Sequence, residues 1–317
     1  MGSKYTLKAF DGYWGGQKPY FHTVDVPVVT DTSSQQLQFN SGQLAAVLHD
    51  LPTSAVQSYL DDPKFSHYSL PTMVSNYLYV NPRRGGMLTD ATRRKALLQA
   101  VDLDTLVKQT YAGGRGTVAS QMFPPNVIAP ELGGKQNVTH DPAPLTTVVA
   151  GLPADQKSIV VGYDSSMPDN QLISNLLQAE LAATGLDVKV QSYPTSQIFG
   201  WIGTDAADAP DILTYTGWPD AASPYMWGGH ISWDADGALN YFGCSAPAIT
   251  SDLARGLESA DTQAFSQAAG SAADTGCWLN MADVNDFMVA QPWLRGVEQA
   301  HVVTSPQTLR LAALSVG

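Results

Sequence analysis

Residues 157–166 read KSIVVGYDSS, a short apolar run that ends in a polar turn. Apolar residues at helical spacing follow over 169–184, and residues 186–193, LDVKVQSY, have the pattern of a second strand. A strand, a helix and a strand joined by short connections predict a right-handed parallel crossover. A further helix around 196–201 and a third strand at 211–218, DILTYTGW, extend the pattern. This part of the chain is therefore predicted to be a parallel α/β domain.

Polar and aromatic residues follow two of these predicted strands at the point where each strand ends. Asp164 and Ser165 come directly after the first strand, and Trp218 and Asp220 come at the end of the third. In open α/β sheets, ligands bind beyond the carboxyl ends of the strands. We therefore expect Asp164, Ser165, Trp218 and Asp220 to line a ligand-binding cleft.

Aromatic residues are dense between 215 and 233, where they accompany the single carboxylate of Asp220 before the next turn. Tyr225 and Trp227 join Trp218 in this stretch. Broad aromatic walls with few charges suit the binding of a flexible small ligand. Tyr225 and Trp227 are therefore further candidates for ligand contact, and the alternative is that these rings belong to the core.

The flanking sequence predicts further elements on both sides of this domain. Alternating segments predict strands, and spaced apolar residues with capping signals predict helices. The expected strands are 24–29, 73–80, 286–290 and 301–305; the expected helices are 33–42, one from Pro52, two within 90–112 that meet near Asp102, 246–258 and 261–274. Between these elements, 123–144 is rich in proline and glycine and is expected to be a loop.

Composition restricts the class of protein. The chain has 317 residues, 44% of them hydrophobic, which is enough for a large core. Its formal charge of −12 repels a phosphate backbone and an anionic membrane surface, so nucleic acid is not an expected partner. Only 15% of the residues are charged, which is typical of a secreted protein.

Apolar runs, the start of the chain and the cysteines give information about the cellular compartment. No run approaches the roughly 20 apolar residues that cross a bilayer, so no membrane span is expected. Met1-Gly2-Ser3 is followed at once by Lys4, so we expect no signal peptide in this chain. Cys244 and Cys277 could form a disulfide in an oxidising compartment, worth about 3 kcal/mol, or remain two buried thiols.

Signatures of catalysis and of cofactor binding are missing from the sequence. It contains no Gly-x-Ser-x-Gly, Cys-x-x-Cys or His-Glu-x-x-His, and no two histidines lie three to five residues apart. The glycine-rich segment 113–116 lacks the Lys-Ser/Thr pair of a phosphate-binding loop. We therefore expect no cofactor, no metal site and no enzyme activity.

Several motifs, in order along the chain, resemble family 5 of the solute-binding proteins of ABC importers, a group that includes oligopeptide, dipeptide, nickel and some sugar binders. They are DGYWGGQKP at 11–19, SGQLA at 41–45, DATRRKALLQAVD at 90–102, YAGG at 111–114 and GWPDAASP at 217–224. The first resembles the family's Tyr-Trp-Gly-Gly-x-x-Pro segment. The last resembles its Gly-Trp-x-x-Asp-x-x-Asp-Pro segment, with one residue fewer after the tryptophan.

The resemblance implies an α/β fold of the periplasmic-binding-protein-like type II (cluster C) class. Residues 1–87 would form an incomplete lobe I, 88–302 the intact α/β ligand-binding lobe II, and 303–317 a return to lobe I. Members of the family carry a further N-terminal region that we expect to be lacking here. The full-length parent would be extracytoplasmic, in the periplasm or at the cell surface.

The resemblance also implies a function: capture of a peptide or similar small polar ligand in an interlobe cleft, hinge closure, and delivery to ABC permease subunits. Asp220 would hold the amino terminus of the ligand, whereas Arg94 and Asp102 would be structural. One alternative is the same scaffold binding a nickel chelate, an oligosaccharide or another solute. Another is a carboxylate-dependent glycoside hydrolase that uses Asp205, Asp208 and Asp211, and a third is a chain that binds no ligand.

Overall fold

The structure is a computed structural model that describes residues 3–48, 51–136, 138–305 and 308–317. Met1 and Gly2, on which the expectation about the start of the chain partly rests, lie outside the described residues. Among the described helices, none is both long enough and apolar enough to cross a membrane.

Helices and strands alternate along most of the described chain. The strands are β1 Lys4–Lys8, β2 Thr23–Pro27, β3 Ala46–Val47, β4 Ser66–Val80, β5 Gly116–Val118, β6 Ser158–Asp164, β7 Asp187–Tyr193, β8 Ile212–Gly217, β9 Trp278–Ala290, β10 Leu294–Arg295 and β11 Ser315–Val316. The α-helices are α1 Thr32–Asn40, α2 Thr53–Asp61, α3 Ala91–Gln99, α4 Leu103–Thr110, α5 Ala143–Ala150, α6 Pro168–Ala182, α7 Thr195–Gly200, α8 Pro247–Ser259, α9 Thr262–Thr275 and α10 Val297–Ala300. Met226–Trp233 is a π-helix.

The chain divides into two compact units, which differ in their bounds from the lobes expected from the sequence. Unit 1 consists of Met1–Thr72, Ala112–Arg115 and Asn285–Gly317, and unit 2 of Met73–Tyr111 and Gly116–Val284. The long strands β4 and β9 contribute residues to both units. The assignment of residues 88–302 to a ligand-binding lobe stays a prediction.

Unit 2 is built on a mixed sheet whose strand order is β9-β4-β8-β6-β7, with β5 on β9. The crossover predicted from KSIVVGYDSS is confirmed: β6 pairs with β7 in parallel along its whole length, and α6 connects them. β8 is also parallel to β6. β4 is antiparallel to β8, so the sheet is parallel only in its second half.

Each face of this sheet carries its own hydrophobic core, because successive strand residues point to opposite sides. Leu78, Val161 and Ile212 belong to one cluster together with apolar residues of α3, α4, α5 and α6. Tyr77 and Leu213 belong to the other, together with apolar residues of α7, the π-helix, α8 and α9. Unit 2 is thus a sheet between two layers of helices.

The two short helices α3 and α4 meet where the sequence predicted a joint. Asp90 caps the first through a hydrogen bond from the Arg93 amide at 2.9 Å, and Asp102 caps the second through the Thr105 amide at 3.1 Å. A carboxylate at this position satisfies amides that have no partner within the helix. The joint near Asp102 is therefore a new N-cap rather than a kink.

Cys244 and Cys277 form a disulfide in unit 2. Cys244 lies shortly before α8, and Cys277 directly precedes β9. Both are buried in the same cluster as Trp227 and Trp233. The bond therefore ties the segment after the π-helix to the residue directly before β9.

Unit 1 has two small cores. One packs Phe39, Tyr59 and Phe65 against Phe287 and Val289 of β9. The other packs Leu70, Met288 and their neighbours against α10 and the end of the chain. β3 extends the second half of β9, with Val47 opposite Val289, and β1 with β2 forms a separate hairpin.

The predicted strand at 301–305 is wrong. α10 ends at Ala300, His301 makes one isolated bridge to Leu309, and the next residues form a turn. Instead, the His301 Nε2 forms a hydrogen bond of 2.6 Å with the Pro71 carbonyl oxygen. A run of branched residues alone does not supply the strand partner that a ladder needs.

Candidate functional site

The carboxyl ends of β6 and β8 lie next to each other at one edge of the sheet of unit 2. The parallel register pairs Tyr163 with Thr214, so Asp164 and Tyr215, one residue further on, are neighbours on the same face. Asp164 is also paired with Tyr193 of β7, and Tyr215 with Tyr77 of β4. Four adjacent strands thus place one carboxylate and three phenols in a row.

A cavity of ≈ 280 Å³ opens at this edge. Trp218, whose side chain is 41% exposed, and the exposed Asp220 lie in its wall with Tyr215 and Thr216 of β8. His230 of the π-helix contributes the only other ionisable group besides Asp220 and Tyr215 among the described lining residues. The complete lining is Phe199, Tyr215, Thr216, Gly217, Trp218, Asp220, His230, Ile231, Ala238 and Leu239.

Asp164 lies next to this wall and is completely buried. Its Oδ1 accepts hydrogen bonds from the Ser166 amide at 2.8 Å and the Ser166 hydroxyl at 2.7 Å, whereas its Oδ2 accepts none from the residues that the structure describes. Burial raises the pKa of the Tyr215 phenol, and the nearby Asp164 charge raises it further. Ser165 is exposed, and its amide donates to the Tyr193 carbonyl at 2.9 Å.

Tyr225 and Trp227 lie outside this lining. Trp227 is fully buried and packs on Tyr77, with 5.0 Å between ring centroids. Tyr225 is half-buried, and its ring covers Gly229, where an added Cβ would lie 2.9 Å from the ring. Of the residues predicted to bind ligand, the structure therefore places Trp218 and Asp220 at the cavity and Trp227 in the core.

The sequence interpretation missed several cavity residues. Tyr215 lies two residues after Leu213 on β8 and so on the same face of the sheet, and this period of two was the available signal. His230 and Ile231 lie on the π-helix, where the spacing of side chains departs from 3.6 residues per turn, so helical periodicity could not place them. Phe199 lies on the short helix α7. Whether this helix lines a cavity depends on tertiary contacts, which the local sequence does not show.

A buried polar network supports the end of β8 from the opposite face of the sheet. The Asn76 Nδ2 donates to the Thr216 hydroxyl at 2.8 Å and to the Asn170 Oδ1 at 2.5 Å. The Thr216 hydroxyl in turn donates to the Asn170 Oδ1 at 3.2 Å. Asn170 is in the first turn of α6. Thr216 is thus held in the cavity wall by β4 and α6.

The three aspartates proposed for glycoside hydrolysis have separate partners. Asp205 pairs with Arg83 at 3.4 Å, and its side chain is almost fully exposed. Asp208 accepts a hydrogen bond from the Gln197 amide group at 2.6 Å. Asp211 accepts one from the Val160 backbone amide at 2.7 Å and lies 3.5 Å from Arg84. They are thus engaged in loop and strand contacts.

Metal binding has no geometric support in the described part of the chain. Three or more histidine, cysteine, aspartate or glutamate side chains that could hold an ion do not come together among those residues. The cavity residues Asp220 and His230 are therefore not part of a metal-binding cluster among the described residues.

Comparison with known proteins gives one family match and several relatives. The family described as bacterial extracellular solute-binding proteins, family 5 Middle, matches residues 1–246. The dipeptide-binding protein of Escherichia coli strain K12 is 26% identical over 196 residues, which cover 60% of this chain and 36% of that protein.

Two solved structures have the same fold. DppA from Helicobacter pylori in complex with the peptide STSA has a TM-score of 0.78 at 17% identity and covers 99% of this chain. NikA from Brucella suis in complex with Fe(III)-EDTA has a TM-score of 0.82 at 18% identity and covers 100% of it. The chain spans 60% of the first structure and 66% of the second, and 36% of the curated relative.

Proposed function

We propose that this chain, which belongs to the bacterial extracellular solute-binding proteins of family 5, captures a peptide or a similar small polar ligand for delivery to an ABC permease. The family match extends over most of the chain, and the predicted periplasmic-binding-protein-like fold is confirmed by the solved structures. The relatives described above are binding proteins by name. We place the function outside the cytoplasm, as the family description indicates.

The observation that carries the proposal is the position of Asp220 beside Trp218 in the cavity wall of unit 2. A carboxylate forms a charge-assisted hydrogen bond with an ammonium group, stronger than a bond between neutral groups. The neighbouring rings of Trp218 and Phe199 offer apolar surface to the rest of the ligand. A peptide with a free amino terminus combines both features.

Peptides are favoured over other ligands by this chemistry and by the relatives together. The curated relative is a dipeptide-binding protein, and one structural neighbour holds the peptide STSA. The other neighbour holds a metal chelate, so a chelate is the second candidate, with His230 in the cavity wall as the group that favours it.

The experiment is a thermal unfolding series of the purified chain with a pool of free peptides three to five residues long, with the same pool N-acetylated, and with nickel–histidine chelate. A ligand that binds only the folded state raises the unfolding midpoint. We expect the free pool to raise it and the acetylated pool to raise it much less. A rise with the chelate alone would favour the second candidate.

Two variants make the test specific for Asp220. Asp220→Asn removes the charge at nearly constant volume and should abolish the difference between the free and acetylated pools. Asp236→Asn is the matched control, because Asp236 is exposed and lies outside the cavity lining. It should behave like the unsubstituted chain. A full response to free peptides in Asp220→Asn would contradict the proposed role.

A further inference from the structure

We propose that two copies of this chain pair through the β1–β2 hairpin of unit 1, so that the apolar face of one hairpin covers that of the other. The hairpin is the segment of residues 3–28, which comprises both strands and the loop 9–22 that joins them. This surface lies in unit 1 and the cavity lies in unit 2, so the inference is independent of the proposed ligand.

One face of the hairpin is apolar. Alternate residues of a strand point to the same side of a sheet, and directly paired residues share that side. Tyr5 is paired with Val26, and two residues further along Leu7 is paired with Val24. These four side chains therefore form one face. Tyr5, Leu7 and Val26 are exposed, and none of the four belongs to either core of unit 1 in the described part of the chain.

The opposite face of the hairpin is polar and has its partners within the hairpin. Asp25 accepts hydrogen bonds from the Lys4 Nζ at 2.7 Å and from the Thr6 hydroxyl at 2.6 Å. Antiparallel strands with one polar and one apolar face are typical of a sheet that covers a core on one side and meets water on the other. In the single chain, both sides of this hairpin meet water.

The loop of the hairpin adds aromatic side chains at the end where the two strands are joined. Trp14 is 90% exposed, and its ring centroid lies 5.7 Å from that of Tyr13. The exposed large apolar side chains of the whole segment are Tyr5, Leu7, Phe10, Tyr13, Trp14, Tyr20, Val26 and Val28. Others of this kind are spread over residues 37–316. Exposed apolar surface is therefore concentrated in this hairpin.

The exposed area is large enough for an interface. An aromatic side chain presents about 200 Å², so the five rings of the segment, each more than half exposed, present on the order of 700 Å². The largest apolar patch of a typical monomer is about 300–600 Å². One side of a stable interface between proteins buries about 800 Å². With its three aliphatic side chains, the hairpin meets the requirement of one side of a dimer.

The charge of the hairpin also permits contact between two copies. The chain has a formal charge of −12, which opposes self-association over most of its surface. Residues 3–28 contain three lysines and two aspartates, a formal net charge of +1 with histidine neutral. Two copies therefore repel each other less at this segment than elsewhere.

A second copy of the chain offers the same apolar face in return. Contact between identical faces is isologous, and its twofold symmetry closes at two chains. Two hairpins packed face to face would form a four-stranded sandwich with the apolar side chains inside. Such packing would supply the apolar contact that an isolated two-stranded hairpin needs for stability.

The experiment is sedimentation velocity of the purified chain from about 1 to about 100 µM, where we expect a dimer that forms with increasing concentration. Leu7→Glu places a charge in the apolar face and should raise the dissociation constant of the dimer at least about tenfold. Leu257→Glu is the matched control, because Leu257 is similarly exposed but lies on α8. It should leave the dimer unchanged.

A chain that stays monomeric over this range would overturn the inference and leave the face to another polypeptide. An unchanged dimer in a folded Leu7→Glu would overturn it as well. Should Leu7→Glu fail to fold, cysteine variants test the same contact. Cys244 and Cys277 are bonded to each other, so an introduced cysteine is the only free thiol.

Leu7→Cys should give a crosslinked dimer with a short bismaleimide, because the two apolar faces meet in the proposed dimer. Thr6→Cys is its control, since Thr6 lies on the opposite face of the same strand. It should give little crosslinked product at the same protein concentration. Equal crosslinking of the two variants, or crosslinking of neither, would contradict the pairing of the apolar faces.

Discussion

The Arg94 guanidinium of α3 donates two hydrogen bonds to the carbonyl oxygen of Thr275, the last residue of α9, from Nε at 3.0 Å and from Nη2 at 2.7 Å. Its Nη1 donates a third to the Leu88 carbonyl at 2.6 Å. Gly276, with a φ of 67°, ends α9 at this point, so the carbonyl is available. Arg94 thus joins α3, in the helix layer on one face of the sheet of unit 2, to the end of α9, in the layer on the other face.

Replacement of Arg94 by Met should lower the free energy of unfolding by about 2–4 kcal/mol. The substitution leaves buried carbonyl oxygens without donors, and hydrogen bonds from charged groups are the costly ones to lose. The measurement is urea unfolding followed by circular dichroism. Arg93→Met is the matched control, because Arg93 is exposed one residue earlier on the same helix. Equal losses in both variants would contradict the structural role of Arg94.

Reduction of the Cys244–Cys277 bond should lower the free energy of unfolding by about 3 kcal/mol, since the bond restricts a loop in the unfolded chain. The chain has only these two cysteines, so a reductant acts on no other bond. The measurement is urea unfolding with and without dithiothreitol. The Cys244→Ser/Cys277→Ser variant should match the reduced chain and ignore the reductant. A reductant effect in that variant would show that the loss has another origin.

Local sequence signals predicted most of the central domain. KSIVVGYDSS became β6 because a buried parallel strand needs little more than a short branched run with a turn at its end. LDVKVQSY became β7 because its valines alternate with polar residues, as in a strand with one exposed face. The carboxylates of Asp90 and Asp102 cap the N-termini of α3 and α4 and so determine where these two helices begin. By contrast, the strand expected at 301–305 depended on a partner that the local sequence cannot show.

The site was predictable only where backbone topology decides it. Trp218 and Asp220 directly follow β8, so the rule for carboxyl ends of strands was sufficient. From the sequence, Trp227 could not be distinguished from a cavity residue, because a tryptophan near a turn suits a core as well as a binding wall. Its contact with Tyr77 of β4 joins residues that are far apart in the sequence. His230 reached the cavity through a π-helix, whose irregular turn has no simple sequence signal.

The carboxyl group of Asp283 on β9 should make the stability of the chain depend on pH. Its Oδ1 accepts hydrogen bonds from the Ser75 hydroxyl at 3.0 Å and the Asn280 side chain at 3.3 Å. Burial nevertheless outweighs these bonds and raises the pKa of Asp283 from 3.8 to about 6. A folded carboxyl group with a raised pKa binds more protons than the unfolded one between these values. Its contribution to stability is therefore present at low pH and lost as the pH rises through about 6.

Asp283→Asn should consequently be more stable than the unsubstituted chain at pH 7.5, by about 3 kcal/mol, and nearly equal to it at pH 4. The asparagine keeps an oxygen that can accept from Ser75, so the packing is preserved. Glu180, whose pKa burial also raises to about 6, titrates in both proteins, so the difference between their urea unfolding curves isolates Asp283. A difference that does not change across this pH range would mean that Asp283 is ionised as readily in the folded chain as in the unfolded one.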